Sequence, residues 1–400
     1  MLTALPIFAA TYLVMALGRF PGFRVDRTGA AIIGASLMVA ANILTVDEAW
    51  AAINSDTIIL LFGMMIVVAS LRLSGFFTVI GAWVVEHAHR PLLLLSGIVL
   101  VSGLFSAFFV NDTMCLVLTP LVLEITRRLR RNPIPYLLAV AMASNVGSVA
   151  TITGNPQNMM IGSFSHIHYR VFAAALAPVA AIGLALTVLV IALVYRREFR
   201  NEALLRCEPH AVRIHSALLW KSAIVAAAMI VFFFAGWPVP KVAVVAGGLL
   251  LITRRLKPER FYREIDWSLL VMFIGLFIVI AGLEKTSLAP DLFTAAGRFH
   301  MERTAPMSAF AAILSNLVSN VPAVLVFKGF VSRLPNATHA WLTLAMSSTL
   351  AGNLTLLGSV ANLIVVERAR REVQISFWEY AKAGVPLTIL SLAAGVWLLS

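Results

Sequence analysis

Three amides, a glycine and a proline interrupt an otherwise apolar stretch, Ser144 to Gly162 (SNVGSVATITGNPQNMMIG). Gly costs about 1 kcal/mol and Pro about 3 kcal/mol in a helix interior, and Pro156 also removes an N–H donor. Unpaired backbone at membrane depth is tolerated only inside protein or along a wet cavity. Thr153-Gly154-Asn155-Pro156-Gln157-Asn158 therefore predicts a broken helix. Its freed carbonyls suit a cation such as Na⁺, and its restarted N-terminus suits an anion. A kink without a ligand explains one such break equally well. The pattern returns in Ser348 to Val366 (STLAGNLTLLGSVANLIVV), where Thr355, Gly358 and Asn362 repeat the spacing of Thr151, Gly154 and Asn158 at an offset of 204.

Two further apolar segments, 92–127 and 305–333, carry polar centres (FFVNDTM and LVSNVPA) and predict re-entrant hairpins with tips at mid-membrane. Tips and breaks together offer Asn111, Thr113, Asn155, Gln157, Asn158, Ser319, Asn320, Ser359 and Asn362 as oxygen and N–H ligands. Asp112, at the first tip, is the one carboxylate placed deep in the membrane, opposite Val321 in the repeat. An intramembrane carboxylate is costly and is by default a functional residue. It would bind a proton or Na⁺ as coupling ion; the structural alternative is a carboxylate accepting hydrogen bonds within its hairpin. Na⁺ at Asn111, Asp112 and Asn320 is the expected cation site. No other cofactor is implied.

The elements that must position these residues follow from composition. The 400 residues are 60% hydrophobic and 12% charged, with mean hydropathy +0.90, which predicts an all-α polytopic membrane protein. Spans are expected at 2–18, 29–46, 57–72, 135–163 (broken), 171–195, 217–235, 240–253, 267–283, 338–366 (broken) and 384–399, about ten in all. Segments 75–90 and 286–300 are shorter and amphipathic, and suit the interface. The first segment lacks a basic leader and a cleavage site and reads as a retained span. Cys115 and Cys207 give no disulfide or metal framework, and His166 and His168 read as surface residues. With the N-terminus outside, this layout places 24 of the 31 Lys and Arg residues inside, as the positive-inside rule requires. The net charge of +12 thus reports membrane topology and not nucleic-acid binding.

The halves match along their length. Gly63 aligns with Gly275 at an offset of 212, Asn111 with Asn320 at 209, and Gly154 with Gly358 at 204. Residues 1–200 form a first repeat, 201–216 a basic cytoplasmic linker, and 217–400 a second repeat entering the membrane with opposite orientation. Inverted-topology repeats are the architecture of many secondary transporters. Both hairpin tips and both breaks would then meet near the midplane.

FFVNDTMCLVLTPLV, SNVGSVATITGNPQN, SNLVSNVPAVLV and LAGNLTLLGSVANLIV resemble the ion transporter superfamily, with its arsenite permeases, sodium–proton antiporters, citrate transporters and divalent-anion:sodium symporters. PGFRVDRTGAAIIGA is similar to the arsenite-permease and "anion transporter" branch. The symporters carry Ser-Asn-Thr at each hairpin tip, with a hydroxyl residue four positions before the Ser. Carried over, the first tip is Val110-Asn111-Asp112 with Ser106, and the second Ser319-Asn320-Val321 with Ser315. Val110 replaces a substrate-binding Ser, Asp112 and Val321 replace threonines, and Val360-Ala361 stand where the symporters have Pro-Pro. The Asn-Asp pair resembles the permease and antiporter branches instead.

The resemblance implies a secondary active transporter of the inner or plasma membrane, moving a small inorganic anion or oxyanion, arsenite-like substrates included, coupled to an H⁺ or Na⁺ gradient. A sodium–proton antiporter is the nearest alternative. A dicarboxylate symporter, a channel and a polytopic membrane enzyme rank below it. No histidine or second acid accompanies Asp112 as a catalytic partner, and no nucleotide-binding motif is present, so ATP coupling would need a separate subunit. The oligomeric state stays open, a homodimer included.

Overall fold

The computed structural model describes residues 3–17, 24–200, 216–254, 257–285 and 300–400. The described residues of the first half form α1 (Ala4–Leu17), α2 (Arg27–Ala40), α3 (Val46–Ala52), α4 (Ser55–Leu73), α5 (Phe76–His87), α6 (Pro91–Phe108), α7 (Asn111–Arg128), α8 (Pro133–Ser148), α9 (Pro156–Ser165), α10 (Tyr169–Val194) and α11 (Arg196–Phe199). The second half forms α12 (Ser216–Phe234), α13 (Val239–Leu251), α14 (Pro258–Tyr262), α15 (Trp267–Glu284), α16 (Thr304–Val318), α17 (Asn320–Val331), α18 (Ala337–Ala351), α19 (Val360–Ala369) and α20 (Phe377–Leu399). The order repeats: two helices, a scaffold helix (α4, α15), a hairpin (α6–α7, α16–α17), a broken pair (α8–α9, α18–α19) and a long closing helix (α10, α20).

The repeats interlock. α2 packs on α15, and α4 on α13, so each repeat lends a helix to the other. Two glycines allow this approach. A Cβ on Gly63 would lie 2.6 Å from the Ala243 carbonyl carbon, and one on Gly275 would lie 2.7 Å from the Ala31 carbonyl oxygen. Both contacts obey the same offset of 212, so the pseudo-symmetry extends to individual backbone atoms. The broken pairs pack inside the molecule: every residue from Tyr136 to Ile161 is buried. The closing helices and α12 keep large apolar residues outward, among them Trp220, Val231 and Trp397.

Boundaries depart from expectation in places. The expected spans 2–18, 29–46 and 240–253 are helices of only 14, 14 and 13 residues. The second ends at Ala40 because Asn42 takes a left-handed conformation (φ 53°) and Thr45 starts a new helix. Thr45 Oγ1 accepts from Glu48 N–H while Glu48 Oε2 accepts from Thr45 N–H, a capping box. The span expected at 384–399 begins at Phe377, where Ser376 Oγ caps it through Glu379 N–H. Hairpin arms α6 and α7 are 18 residues each, longer than a tip at mid-membrane needs. Among the described residues, six helices are long and apolar enough to cross a membrane singly. The interfacial segment expected at 286–300 and the linker 201–216 lie almost wholly outside the described residues.

Candidate functional site

Each break is built on an asparagine that turns back on it. Asn158 Nδ2 donates to the carbonyls of Ser148 and Thr151, both at 3.0 Å. In the second repeat Asn362 Nδ2 donates to Gly352 O (2.7 Å) and Thr355 O (3.1 Å), the same pair of positions shifted by 204. These carbonyls lost their helical partners where the helices break, so the amides satisfy groups that burial would otherwise penalise. After the first break Asn155 caps α9, its Oδ1 accepting from Asn158 N–H at 2.8 Å, with Pro156 at the first helical position. After the second, Ser359 caps α19.

The repeats are stitched together by Asn145, which sequence reasoning missed. Its Nδ2 donates to Asn353 Oδ1 (2.9 Å) and Asn362 Oδ1 (3.0 Å). Its Oδ1 accepts from Asn111 Nδ2 (3.0 Å) and Ser359 Oγ (3.1 Å). Thr349, equally unremarked, accepts from Asn155 Nδ2 and Gln157 Nε2, both at 3.2 Å. The available signal was position: both residues lie one to two turns ahead of a break, where a buried polar side chain has little to bond except the opposite half.

The hairpin tips are not equivalent. Ser315 Oγ donates to Asn320 Oδ1 at 2.5 Å. At the matching positions of the first repeat, Ser106 Oγ and Asn111 Oδ1 are both buried without a hydrogen-bond partner among the described residues. Ser319 adopts φ 78°, ψ 158°, a region natural to glycine, whereas Val110 at the first tip has φ −51°.

A cavity of about 420 Å³ joins these parts, lined by Asn111, Asp112, Gln157, Ser319, Asn320 and Ser359 among others. The first residues of five helices, α2, α7, α9, α17 and α19, border it, which brings five positive dipole ends to one space. Thr113, Ser106, Gly154, Asn155, Asn158, Ser315, Gly358 and Asn362 do not line it. Gly154 instead accepts the Asn111 N–H at 3.0 Å, and a Cβ there would meet Ser148 O at 2.2 Å. A Cβ on Gly358 would lie 2.7 Å from Asn316 Oδ1.

One expectation needs correction: Asp112 is not the sole carboxylate at the site. Asp26 and Asp266 also line the cavity, together with Arg27. Each aspartate caps a helix, Asp26 through Gly29 N–H (2.8 Å) and Asp266 through Leu269 N–H (2.9 Å). Asp266 corresponds, at an offset of 212, to Asn54, which caps α4 through Thr57 N–H (2.8 Å). Asn54 lines a second cavity of about 430 Å³ with Asp56, Phe164, Glu284 and Lys328. Symmetry-related caps therefore mark two separate cavities. Among the described residues no group of three or more His, Cys, Asp or Glu is arranged to hold a metal ion.

Comparison with known proteins matches residues 11–351 to the citrate transporter family. The silicon efflux transporter LSI3 of Oryza sativa subsp. japonica is 28% identical, covering 97% of this chain and 95% of its own length. The 46 kDa membrane protein of Mycobacterium leprae is 30% identical over 99% of this chain and 97% of its own. A putative transporter, arsB, of Dictyostelium discoideum is 24% identical over 93% and 87%. The crystal structure of the Alcanivorax borkumensis YdaH transporter shares the fold, with a TM-score of 0.64 at 14% identity, covering 99% of this chain and 95% of that one.

Proposed function

The chain belongs to the citrate transporter family and is a secondary transporter, and we propose that it moves a small inorganic anion or oxyanion across the cell membrane by alternating access, coupled to Na⁺ or H⁺. The observation that carries this reading is the unequal pair of tips. Ser106 Oγ and Asn111 Oδ1 stand buried and unpaired where Ser315 and Asn320 satisfy each other. An unpaired buried oxygen costs about 1–3 kcal/mol unless something fills the role of its partner. Sodium bound by Asn111, with Asp112 and Asn320 on the same cavity, would fill it. Five helix N-termini bordering that space favour an anion beside the cation. The inverted repeat supports alternation, since it lets each half adopt the other's conformation. The silicon named for the Oryza relative puts silicic acid, an oxoacid uncharged at neutral pH, among the compounds to test, beside the arsenite-like substrates that the permease resemblance implies. The N-terminus lies outside on the charge distribution.

Asp112 has no hydrogen bond or ion pair among the described residues, and this favours one other reading, sodium–proton exchange. Uptake into proteoliposomes separates the two. Sulfate, inorganic phosphate, arsenite, silicic acid and citrate are offered in turn, with an imposed sodium or proton gradient. Gradient-driven accumulation of one of them supports anion transport. Sodium flux against a proton gradient with none of the five accumulated would replace it with the antiporter.

A further inference from the structure

The cavity contains a cation that its own carboxylates leave unpaired. Arg27, the first residue of α2, lines the space and is half-buried. Among the described residues no carboxylate oxygen comes within 4.0 Å of its guanidinium, although Asp26, Asp112 and Asp266 border the same space. Asp26 and Asp266 are engaged as helix caps, which leaves Asp112 as the free negative charge. Arg27 breaks two local rules. A cation at the first position of a helix sits at the positive end of the dipole, and a guanidinium drawn from water without a partner is penalised. Local rules broken without compensation mark functional positions. A bound oxyanion would compensate both. Guanidinium presents donors in a planar fork that matches two oxygens of such a group. Asn111, on the same cavity, is 3% exposed and its Oδ1 lacks a partner; an amide oxygen suits the coupling cation, which marks the cavity as a ligand site and leaves the oxyanion to the guanidinium.

We propose that Arg27 is the anion-selecting residue of this transporter: its guanidinium engages the oxygens of the substrate in the cavity, while Asp112 is left to the coupling cation. The proposal deepens the anion reading above and rests on it. It also gives a role to a guanidinium that lines the cavity without a carboxylate partner among the described residues.

The test uses purified full-length protein and thermal shift, titrating the same five compounds at fixed ionic strength and, separately, Na⁺ at fixed chloride. Arg27→Gln should weaken the apparent affinity for the stabilising oxyanion at least tenfold and leave the Na⁺ response unchanged. Arg27→Lys, which keeps the charge and loses the fork, should fall between the two. Arg24 is exposed, is not part of the cavity lining and shares the same loop, so Arg24→Gln should respond as the native protein does. Native oxyanion affinity in Arg27→Gln overturns the assignment while leaving anion transport intact. Should that variant not fold, Arg27→Lys decides: a weakened oxyanion response with an intact Na⁺ response supports the assignment, and native affinity overturns it. If none of the five compounds shifts even the native protein, the anion reading falls and Arg27 with it.

Discussion

Asn362 spends its whole side chain inside the protein. Its two N–H bonds hold Gly352 O and Thr355 O, and its Oδ1 accepts from Asn145. Asn158 does the same with its amide nitrogen, though its Oδ1 has no partner. The spacing of these asparagines was legible because the repeat copies it. Their chemistry was not, since an amide beside a break can face a ligand or the broken backbone, and sequence does not say which. In the structure both amide nitrogens hold backbone carbonyls. Asn362→Ala therefore lowers stability, by about 1–3 kcal/mol for the buried groups left unpaired, in contrast to the loss of binding with intact folding that a ligand role would give. Unfolding of substrate-free protein in detergent measures this, and an unchanged midpoint would return Asn362 to the ligand set. Asn145 escaped notice for the reason that makes it central. It sits within a helix ahead of the break, so its one signal was a polar side chain inside an expected span.

Helices and their interruptions were readable wherever a strong breaker stood, as at Pro156 and at the hairpin tip FFVNDTM. They were misjudged where apolar residues ran through a turn, as in ANILTV after α2, because hydropathy does not register the left-handed Asn42 or the cap at Thr45. Two element-scale outcomes follow from backbone geometry. Ser319 occupies a region of φ and ψ that costs non-glycine residues about 1–3 kcal/mol. Ser319→Gly should raise stability by about 1 kcal/mol after glycine's own entropy cost and weaken ligand binding by removing a cavity hydroxyl. Parallel unfolding and binding titrations check both halves of that statement. Gly63→Ala drives a methyl against the Ala243 backbone and should destabilise by about 1–3 kcal/mol, the range for overpacking. Gly248, on α13, is the control, because a Cβ added there would meet nothing within 4 Å. Gly248→Ala should be neutral or gain up to about 1 kcal/mol from helix propensity. Equal effects at the two positions would contradict the interlocked packing.

At the scale of the whole molecule, the inverted repeat was visible as three offsets and is realised as matched contacts, from the Gly63 and Gly275 approaches to the paired asparagines. The asymmetry between the halves was visible only as letters, Asp112 against Val321. What it leaves unpaired became apparent in three dimensions. Topology is testable directly: in a background without Cys115 and Cys207, cysteines at exposed Val46 and Arg197 should label from opposite sides of the membrane. Labelling from one side would overturn the crossing count. The central claim is that the cavity at the tips and breaks couples an anion to a cation through Asp112. Asp112→Asn keeps the size of the side chain and removes its charge, and with no partner to lose the variant should fold. The decisive measurement is transport by that variant in proteoliposomes, with sodium and proton gradients imposed separately and substrate exchange followed in parallel. Coupling through Asp112 predicts that gradient-driven accumulation disappears while exchange of substrate across the membrane continues. Accumulation with undiminished dependence on both gradients would contradict it.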